Sequence, residues 1–256
     1  MKAYFLSILV ILCAIPMTYA KDLSAGWELW YPYQYHNKKI ELVGLDIESF
    51  KAIMAQANLK YTSAEIPWKT HLQFIKTGKM DMAMGASKTD ERQQYAYFSL
   101  PYRQETVKLF VKKGQAIKTN LTSLSDLAGS PYNIGVEAGY YYGEEYQDLI
   151  KRPDFQNNIS EVIDLEQNVS MLLDGQLDGF LVDPVTMKAF VNKYDMHNIF
   201  EQHPVEIYSA DIHLMLSKMT GDEVLLDKIN QAITSLKNNG SLQKITRRWS
   251  QMQNIN

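Results

Sequence analysis

The sequence predicts an α/β fold of two similar lobes, and three observations carry that prediction. Segments 71-HLQFIKTGKMDMAMGAS-87 and 168-NVSMLLDGQLDGFLVDP-184 share one pattern: a helix, a glycine stop, then a short strand written apolar, Asp, any residue, apolar, apolar. Gly78 matches Gly175 and Asp81 matches Asp178, 97 residues further on. Around this repeat, strand-like and helix-like runs alternate along the chain, which implies doubly wound sheets and argues against an all-β or bundle fold. No low-complexity segment or coiled-coil heptad run interrupts them.

Taken in order, Asp46 is placed to cap a helix whose Phe50, Ile53, Met54 and Ala57 recur at helical spacing. Residues 59-LKYTSAEI-66 read as a strand. In each copy of the repeat, glycine supplies the left-handed backbone that ends a helix, and the apolar run after it fits a buried parallel strand. Thr89 or Asp90 is the N-cap of the next helix, where Asp90 and Glu91 suit the positive end of the helix dipole. Arg92 does not suit it. A cation is disfavoured there unless an anion joins it, so Arg92 is either a solvated surface charge or the receiver of a negatively charged guest.

Further on, 107-VKLFVKKG-114 reads as a strand, 115 to 122 as loop, and 123-SLSDLAG-129 as a short capped helix. A strand 132-YNIGVEAG-139 feeds a helix from Tyr141 to Ile150. A long helix from Asp222 to Leu236 and a shorter one from Leu242 to Trp249, broken at 238-NNGS-241, close the chain. The two repeated strands deliver Ser87 and Arg92 at one carboxyl end and Asp183 at the other. Ligands bind at the carboxyl ends of strands in open α/β sheets.

The N-terminus reads as a secretory signal peptide: Lys2, an apolar run from Ala3 to Ile15, Pro16, then 18-TYA-20 with the cut after Ala20. The run is shorter than the ~20 apolar residues of a membrane span, so the mature chain is expected to be soluble and exported. Cys13, the only cysteine, lies inside the signal without the small residues that a lipoprotein cut site requires. Neither a lipid anchor nor a disulfide is expected, and the remaining length suffices for one large or two small lobes held by their cores. A net charge of −3 with both signs mixed gives no support to nucleic-acid or strong membrane-surface binding. Sixteen tyrosines and four tryptophans stand out, several of them in 27-WELWYPYQY-35.

His36, His71, His197, His203 and His213 show no H-x-H or H-E-x-x-H spacing, and neither a metal site nor a cofactor is expected. Without a G-x-S-x-G elbow, a Walker loop or G-x-G-x-x-G, nucleophile-elbow hydrolases, nucleotide hydrolases and dinucleotide enzymes lose their sequence support. Glu137 at a strand end is either an acid–base group or a plain surface carboxylate, and the plain reading is the ordinary one. The three tyrosines 140-YYY-142 at a helix start cannot all point inward, so at least one faces a cleft or solvent.

Read together, 44-GLDIESFKAIM-54, 67-PWKTHLQFIKTGKMDMAMGASKTDERQQYAYFSLPYRQETVKLFVKKG-114, 123-SLSDLAG-129, 175-GQLDGFLVD-183 and 240-GSLQKITRRW-249 resemble the family 3 solute-binding proteins, the periplasmic receptors of polar-amino-acid ABC transporters. The likeness spans essentially the whole mature chain, and 67-PWK-69 and 86-ASKTDER-92 look closer to a divergent branch of that family. The resemblance implies an α/β, two-lobed periplasmic binding protein-like type II fold with two hinge crossovers. Lobe 1 would comprise residues 21–106 and 210–256, and lobe 2 residues 107–209, after a signal peptide at 1–20. It also implies a monomer in the periplasm that closes on a small ligand, an amino acid or related zwitterion, and hands it to a membrane ABC permease.

By the same resemblance, Arg92 corresponds to the arginine that holds the ligand's carboxylate as a bidentate fork, with Ser87 as a helping hydroxyl. Asp183 falls on the position that holds the α-ammonium, Trp68 on the aromatic over the ligand's side chain, and Trp30 or Tyr31 on a second aromatic. A zwitterion between Arg92 and Asp183 would bridge the cleft and favour closure. The chain departs from the family where Tyr140, Tyr141 and Tyr142 replace small hydroxyl residues after Gly139, which brings Tyr141 to the candidate site, and where Met84 and Gly85 replace hydroxyls before Ser87. A bulkier, aromatic cleft suits an aromatic or cationic ligand. Two other functions share this fold: a dehydratase acting on a cyclic carboxylic acid, with Glu137 or Glu28 as general acid, and a ligand-sensing module for a membrane receptor.

Overall fold

The computed structural model of the chain describes residues 22–252; the expected signal peptide and its cut after Ala20 lie outside the described residues. Strand β1 (Leu23–Trp27) leads through β2 (Tyr35–His36) and β3 (Leu42–Val43) to helix α1 (Leu45–Gln56), then β4 (Tyr61–Glu65), α2 (Trp68–Thr77) and β5 (Met82–Ser87). The short helix α3 (Asp90–Gln93), β6 (Ala96–Phe98) and the long strand β7 (Arg103–Lys112) follow. Next come β8 (Ile134–Glu137), α4 (Glu144–Leu149), α5 (Pro153–Gln156), β9 (Ile159–Val162), α6 (Leu165–Leu173), β10 (Gly179–Val182) and α7 (Pro184–Tyr194). Strand β11 (Phe200–Ser217) and helices α8 (Glu223–Asn238) and α9 (Ser241–Met252) complete the order.

The main sheet runs β4-β1-β5-β11-β7-β10-β8-β9, with β6 also paired to β11. Its two ends are built alike. β1 lies parallel between β4 and β5, as β8 lies parallel between β9 and β10. Between these ends, β7 and β11 run antiparallel to each other, from Arg103 opposite Ile212 to Lys112 opposite Phe200. The buried clusters follow the same division: Phe50, Ile53, Leu214 and Ile233 share one, while Leu109, Ile134, Phe155 and Leu181 share another. The lobe boundaries read from the sequence fall inside β7 and β11. Along α8, Ile229, Ile233 and Leu236 face inward at helical spacing, each contributing roughly 1.5–3 kcal/mol by burial.

The repeated segments perform one task in each lobe. Gly78 and Gly175 take φ of 71° and 76° where α2 and α6 end. Asp81 then accepts the Ser24 N–H at 2.7 Å, and Asp178 accepts the Asn133 N–H at 2.7 Å. Each aspartate thus ties the strand it precedes to its parallel neighbour and satisfies a backbone donor there.

Several expectations move. Helix α1 starts at Leu45, after Gly44, and Asp46 does not cap it; Asp46 is fully buried against Arg103. The capped helix near 123 is one 3-10 turn, Leu124–Leu127, with the Ser123 capping box in place. Helix α4 starts after Gly143, so the three tyrosines precede it in a loop and are not on it. Tyr142 enters the core of the second lobe and its hydroxyl accepts the Glu137 N–H at 2.7 Å. Tyr140 and Tyr141 are left facing the cleft.

Candidate ligand site between the lobes

Thr89, not Asp90, caps α3: its hydroxyl accepts the Arg92 N–H at 3.1 Å. This single turn carries the Arg92 side chain inward, where it is 7% exposed, so the solvated-charge reading fails. Its guanidinium donates to the Ser87 carbonyl at 3.0 Å and, across the cleft, to the Gly139 carbonyl at 3.3 Å. The Trp68 ring lies 5.5 Å away. Burial pulls the Arg92 pKa down, and no carboxylate among the described residues pairs with it. A buried charge without a counterion is costly, and a guanidinium has five N–H donors, more than these two carbonyls use.

Arg92, Ser87, Gly85, Trp30, Trp68 and Tyr141 line one cavity. Gly85 holds φ at 75°, and a Cβ added there would sit 3.1 Å from the Trp30 ring and 3.1 Å from the Asp46 carboxylate. Glycine therefore lets Trp30 close over the site. Trp30 is the cavity aromatic of the pair: its ring leans on Tyr33 at 4.6 Å and meets Tyr140 edge-on at 5.8 Å. Tyr31 lies off this cavity, edge-on to Tyr35 at 4.6 Å.

Two carboxyls share the cavity. Glu28, weighed in the sequence only as an acid, follows β1; its Oε2 accepts the Trp68 N–H at 2.8 Å and its Oε1 the Tyr140 hydroxyl at 2.7 Å. Burial raises its pKa. Glu105 was not singled out from the sequence. It stands on β7, is 8% exposed, and is pushed up to about 8, chiefly by burial against the opposing pull of Arg103. The signal for it was present: Arg103, Glu105 and Val107 share one face of a strand whose inward positions are buried. His71, also in the cavity wall, has Nε2 3.1 Å from the Met82 carbonyl, and burial lowers its pKa to about 4.

Asp183 does not line this cavity. It caps α7, its Oδ1 accepting the N–H groups of Val185 and Thr186 at 2.9 Å each and the Tyr33 hydroxyl at 2.9 Å. Its Oδ2 receives no hydrogen bond among the described residues. Asp183 remains close enough to Glu105 for its charge to help raise that group's pKa. Behind both, Arg103 forms a bidentate pair with Asp46 at 2.7 and 3.0 Å, with the rings of Trp30 and Tyr33 at 5.2 and 4.1 Å.

The lobes are drawn together. Arg92 reaches Gly139, Glu28 reaches Tyr140 and Tyr33 reaches Asp183 across the cleft, leaving a cavity of about 20 Å³, room for a single water. Among the described residues, no helix is long and apolar enough to cross a membrane.

The sequence profile of the bacterial extracellular solute-binding proteins, family 3, matches residues 23–252. The ABC transporter arginine-binding protein 1 of Escherichia coli K12 is 24% identical over 254 residues, covering 97% of this chain and 99% of that one. An ancestral arginine-binding protein solved with arginine is 26% identical, with a TM-score of 0.74 over 89% of this chain and 97% of its own. An ancestral amino-acid-binding protein described as a precursor of cyclohexadienyl dehydratase superposes with a TM-score of 0.72 at 22% identity, over 89% and 95% of the two chains, a likeness of fold alone.

Proposed function

Since the chain belongs to the bacterial extracellular solute-binding proteins of family 3, we propose that it captures a free amino acid between its lobes, closes on it, and delivers it to an ABC transporter permease. Export by the signal peptide at residues 1–20 would place it in the periplasm. The observation that carries the reading is Arg92: a guanidinium buried at the cleft, under Trp68, with no carboxylate of its own. A ligand carboxylate supplies the missing charge and takes a two-pronged hydrogen bond that lysine could not give. Ser87 stands beside it. The α-ammonium is received at Glu105, whose carboxyl lines the cavity, with Asp183 adding negative charge from outside the cavity wall. Trp68, Trp30 and Tyr141 enclose the side chain.

Entry requires the lobes to part, since the closed cavity has room for about one water. The hinges are the crossings of β7 and β11 near residues 106 and 210. In the closed form Arg92 on one lobe also meets Gly139 and Tyr141 of the other around the ligand, and contacts made only with the lobes together are the differential affinity that drives the equilibrium.

A dehydratase on this fold needs a free carboxylic acid beside the substrate. Of the two acids weighed from the sequence, Glu137 is absent from the cavity wall and both oxygens of Glu28 are engaged, which leaves Glu105 as the carboxyl of the wall that could serve as an acid; the unpaired Arg92 is what favours the binding reading. Thermal unfolding of the exported protein against single amino acids tests the reading. A ligand at a hundred times its dissociation constant adds ~2.7 kcal/mol of stability, a shift of several degrees. A panel of all the common amino acids that moves the midpoint nowhere would sink the proposal.

A further inference from the structure

We propose that a proton and the ligand's ammonium compete for the Glu105 carboxyl, so that capture of an amino acid releases one proton to solvent and is tighter in less acidic solution. The proposal rests on the reading of the cavity as an amino-acid site and deepens it by naming the group that links capture to pH.

Four carboxyls stand in the cavity wall or directly behind it, and three of them are engaged. Asp46 takes the Arg103 fork at 2.7 and 3.0 Å. Glu28 accepts from Trp68 and Tyr140, and Asp183 accepts three donors on Oδ1. The Glu105 carboxyl receives no hydrogen bond and no ion pair among the described residues. Glu105 is 8% exposed, yet its oxygens are not sealed in the core and open on the cavity.

Ionised, Glu105 would be a bare charge in the empty closed cleft, where about one water fits. Its neighbours give little relief. Arg103, on the same strand, is held by Asp46, and Arg92 of α3 spends donors on the carbonyls of Ser87 and Gly139. Asp46 on α1, Asp183 at the start of α7 and Glu137 on β8 bring like charge. Tyr33, Tyr142 and Tyr208, which also face Glu105, and the wall tyrosines Tyr140 and Tyr141 are raised by burial and uncharged at neutral pH. His71 on α2, lowered to about 4, is uncharged as well. A proton removes the bare charge, in keeping with the rise of Glu105 to about 8, chiefly by burial.

An ammonium relieves the same carboxyl differently, because an opposite charge within about 4–6 Å favours the ionised form. Glu105 gives its proton to water while the lobes are parted, the ammonium keeps its three hydrogens, and closure buries carboxylate and ammonium together. Asp183, whose charge opposes ionisation of Glu105 in the empty cleft, attracts the same cation. The other three carboxyls would each have to give up hydrogen bonds to make this exchange.

Calorimetric titration of the exported protein with alanine, and with propionate, which is alanine without its ammonium, counts the protons released when run at pH 7 in two buffers of different ionisation enthalpy. Alanine should release close to one proton, and its affinity should rise about tenfold from pH 6 to pH 7, the change that one proton gives. Propionate should release none, a comparison that stands even if a Glu105 variant fails to fold. Glu105→Gln should abolish the release and the pH dependence for alanine. Glu137→Gln, which alters a carboxyl outside the cavity wall, should keep both.

Heats that do not depend on the buffer, together with equal alanine affinity at the two pH values, overturn the proposal; so does proton release that survives Glu105→Gln. If alanine does not bind, the other common amino acids are titrated beside their deaminated acids, and if none binds, the amino-acid reading fails instead. The infrared spectrum of the ligand-free protein at pH 7 then still decides the proton. The carbonyl stretch of a protonated carboxylic acid should be present in the wild type and diminished in Glu105→Gln, and identical spectra overturn the proposal.

Discussion

Tyr140 of the second lobe donates its hydroxyl to the Glu28 carboxyl of the first at 2.7 Å, while the other oxygen of Glu28 caps the Trp68 N–H at 2.8 Å. The loop tyrosine thus serves as a latch across the cleft. It also aligns the residue that starts α2 and stacks near Arg92.

Tyr140→Phe removes only the latch. A hydrogen bond to a carboxylate contributes about 1.5–3 kcal/mol, and this one exists only with the lobes together. The variant should therefore favour the open form, with a larger radius of gyration by small-angle scattering before ligand is added. Its apparent affinity should fall with the closed population. Scattering and affinity both equal to wild type would show that the bond does not hold the lobes.

Asp46→Ala leaves Arg103 buried beside Trp30 and Tyr33 without its counterion. Breaking a buried pair from one side costs about 3–5 kcal/mol, so the urea midpoint should drop sharply at unchanged slope. A loss below about 1 kcal/mol would mean that Arg103 finds another partner or reaches water.

The pH dependence follows from three groups with shifted pKa values, Glu105, Glu137 and His71. Glu105 and Glu137 are both raised to about 8 from 4.5, chiefly by burial, so the folded state holds protons that the unfolded chain releases between those values. Stability from these two falls as pH rises through that window. His71, lowered to about 4 from 6.5, acts oppositely and loses stability as pH falls below 6.5. Between pH 6.5 and 8 only the carboxyls act among these three groups, so the unfolding temperature should decline there. Glu105→Gln and Glu137→Gln should each flatten the decline. A wild-type midpoint rising over that interval would contradict the assignment.

Asp183→Asn changes charge while keeping a residue that caps α7 as well as aspartate does. Stability should hold. Affinity for amino acids should drop, and affinity for the same acids lacking the α-ammonium should not. An equal loss for both classes would make Asp183 a structural tie to Tyr33 alone.

What the sequence disclosed and what it hid divide along physical lines. Local chemistry was legible: the glycine stops, the aspartates that follow them, and the misfit of Arg92 in a helix's first turn all rest on neighbouring residues. The pairings that shape the cleft were not. Asp46 and Arg103 lie 57 positions apart, Glu28 and Tyr140 112 apart, and Tyr33 and Asp183 150 apart, and nothing local in either partner announces the other. Asp46 looked like a helix cap because aspartate near a helix start usually is one; burial opposite Arg103 gave it another task. Trp30 and Tyr31 could not be ranked from adjacent positions in an irregular segment, where no strand or helix period fixes which side chain turns inward.

Arg92 is the proposed receiver of an amino acid's carboxylate. Calorimetric titration of the wild type and Arg92→Lys with an amino acid that stabilises the protein, and with the amine that lacks its carboxyl group, tests that role. The wild type should bind the amino acid and not the amine, and Arg92→Lys should lose at least ~2 kcal/mol of affinity because lysine cannot form the two-pronged bond. Equal binding of acid and amine, or an Arg92→Lys variant that binds as wild type does, would contradict it.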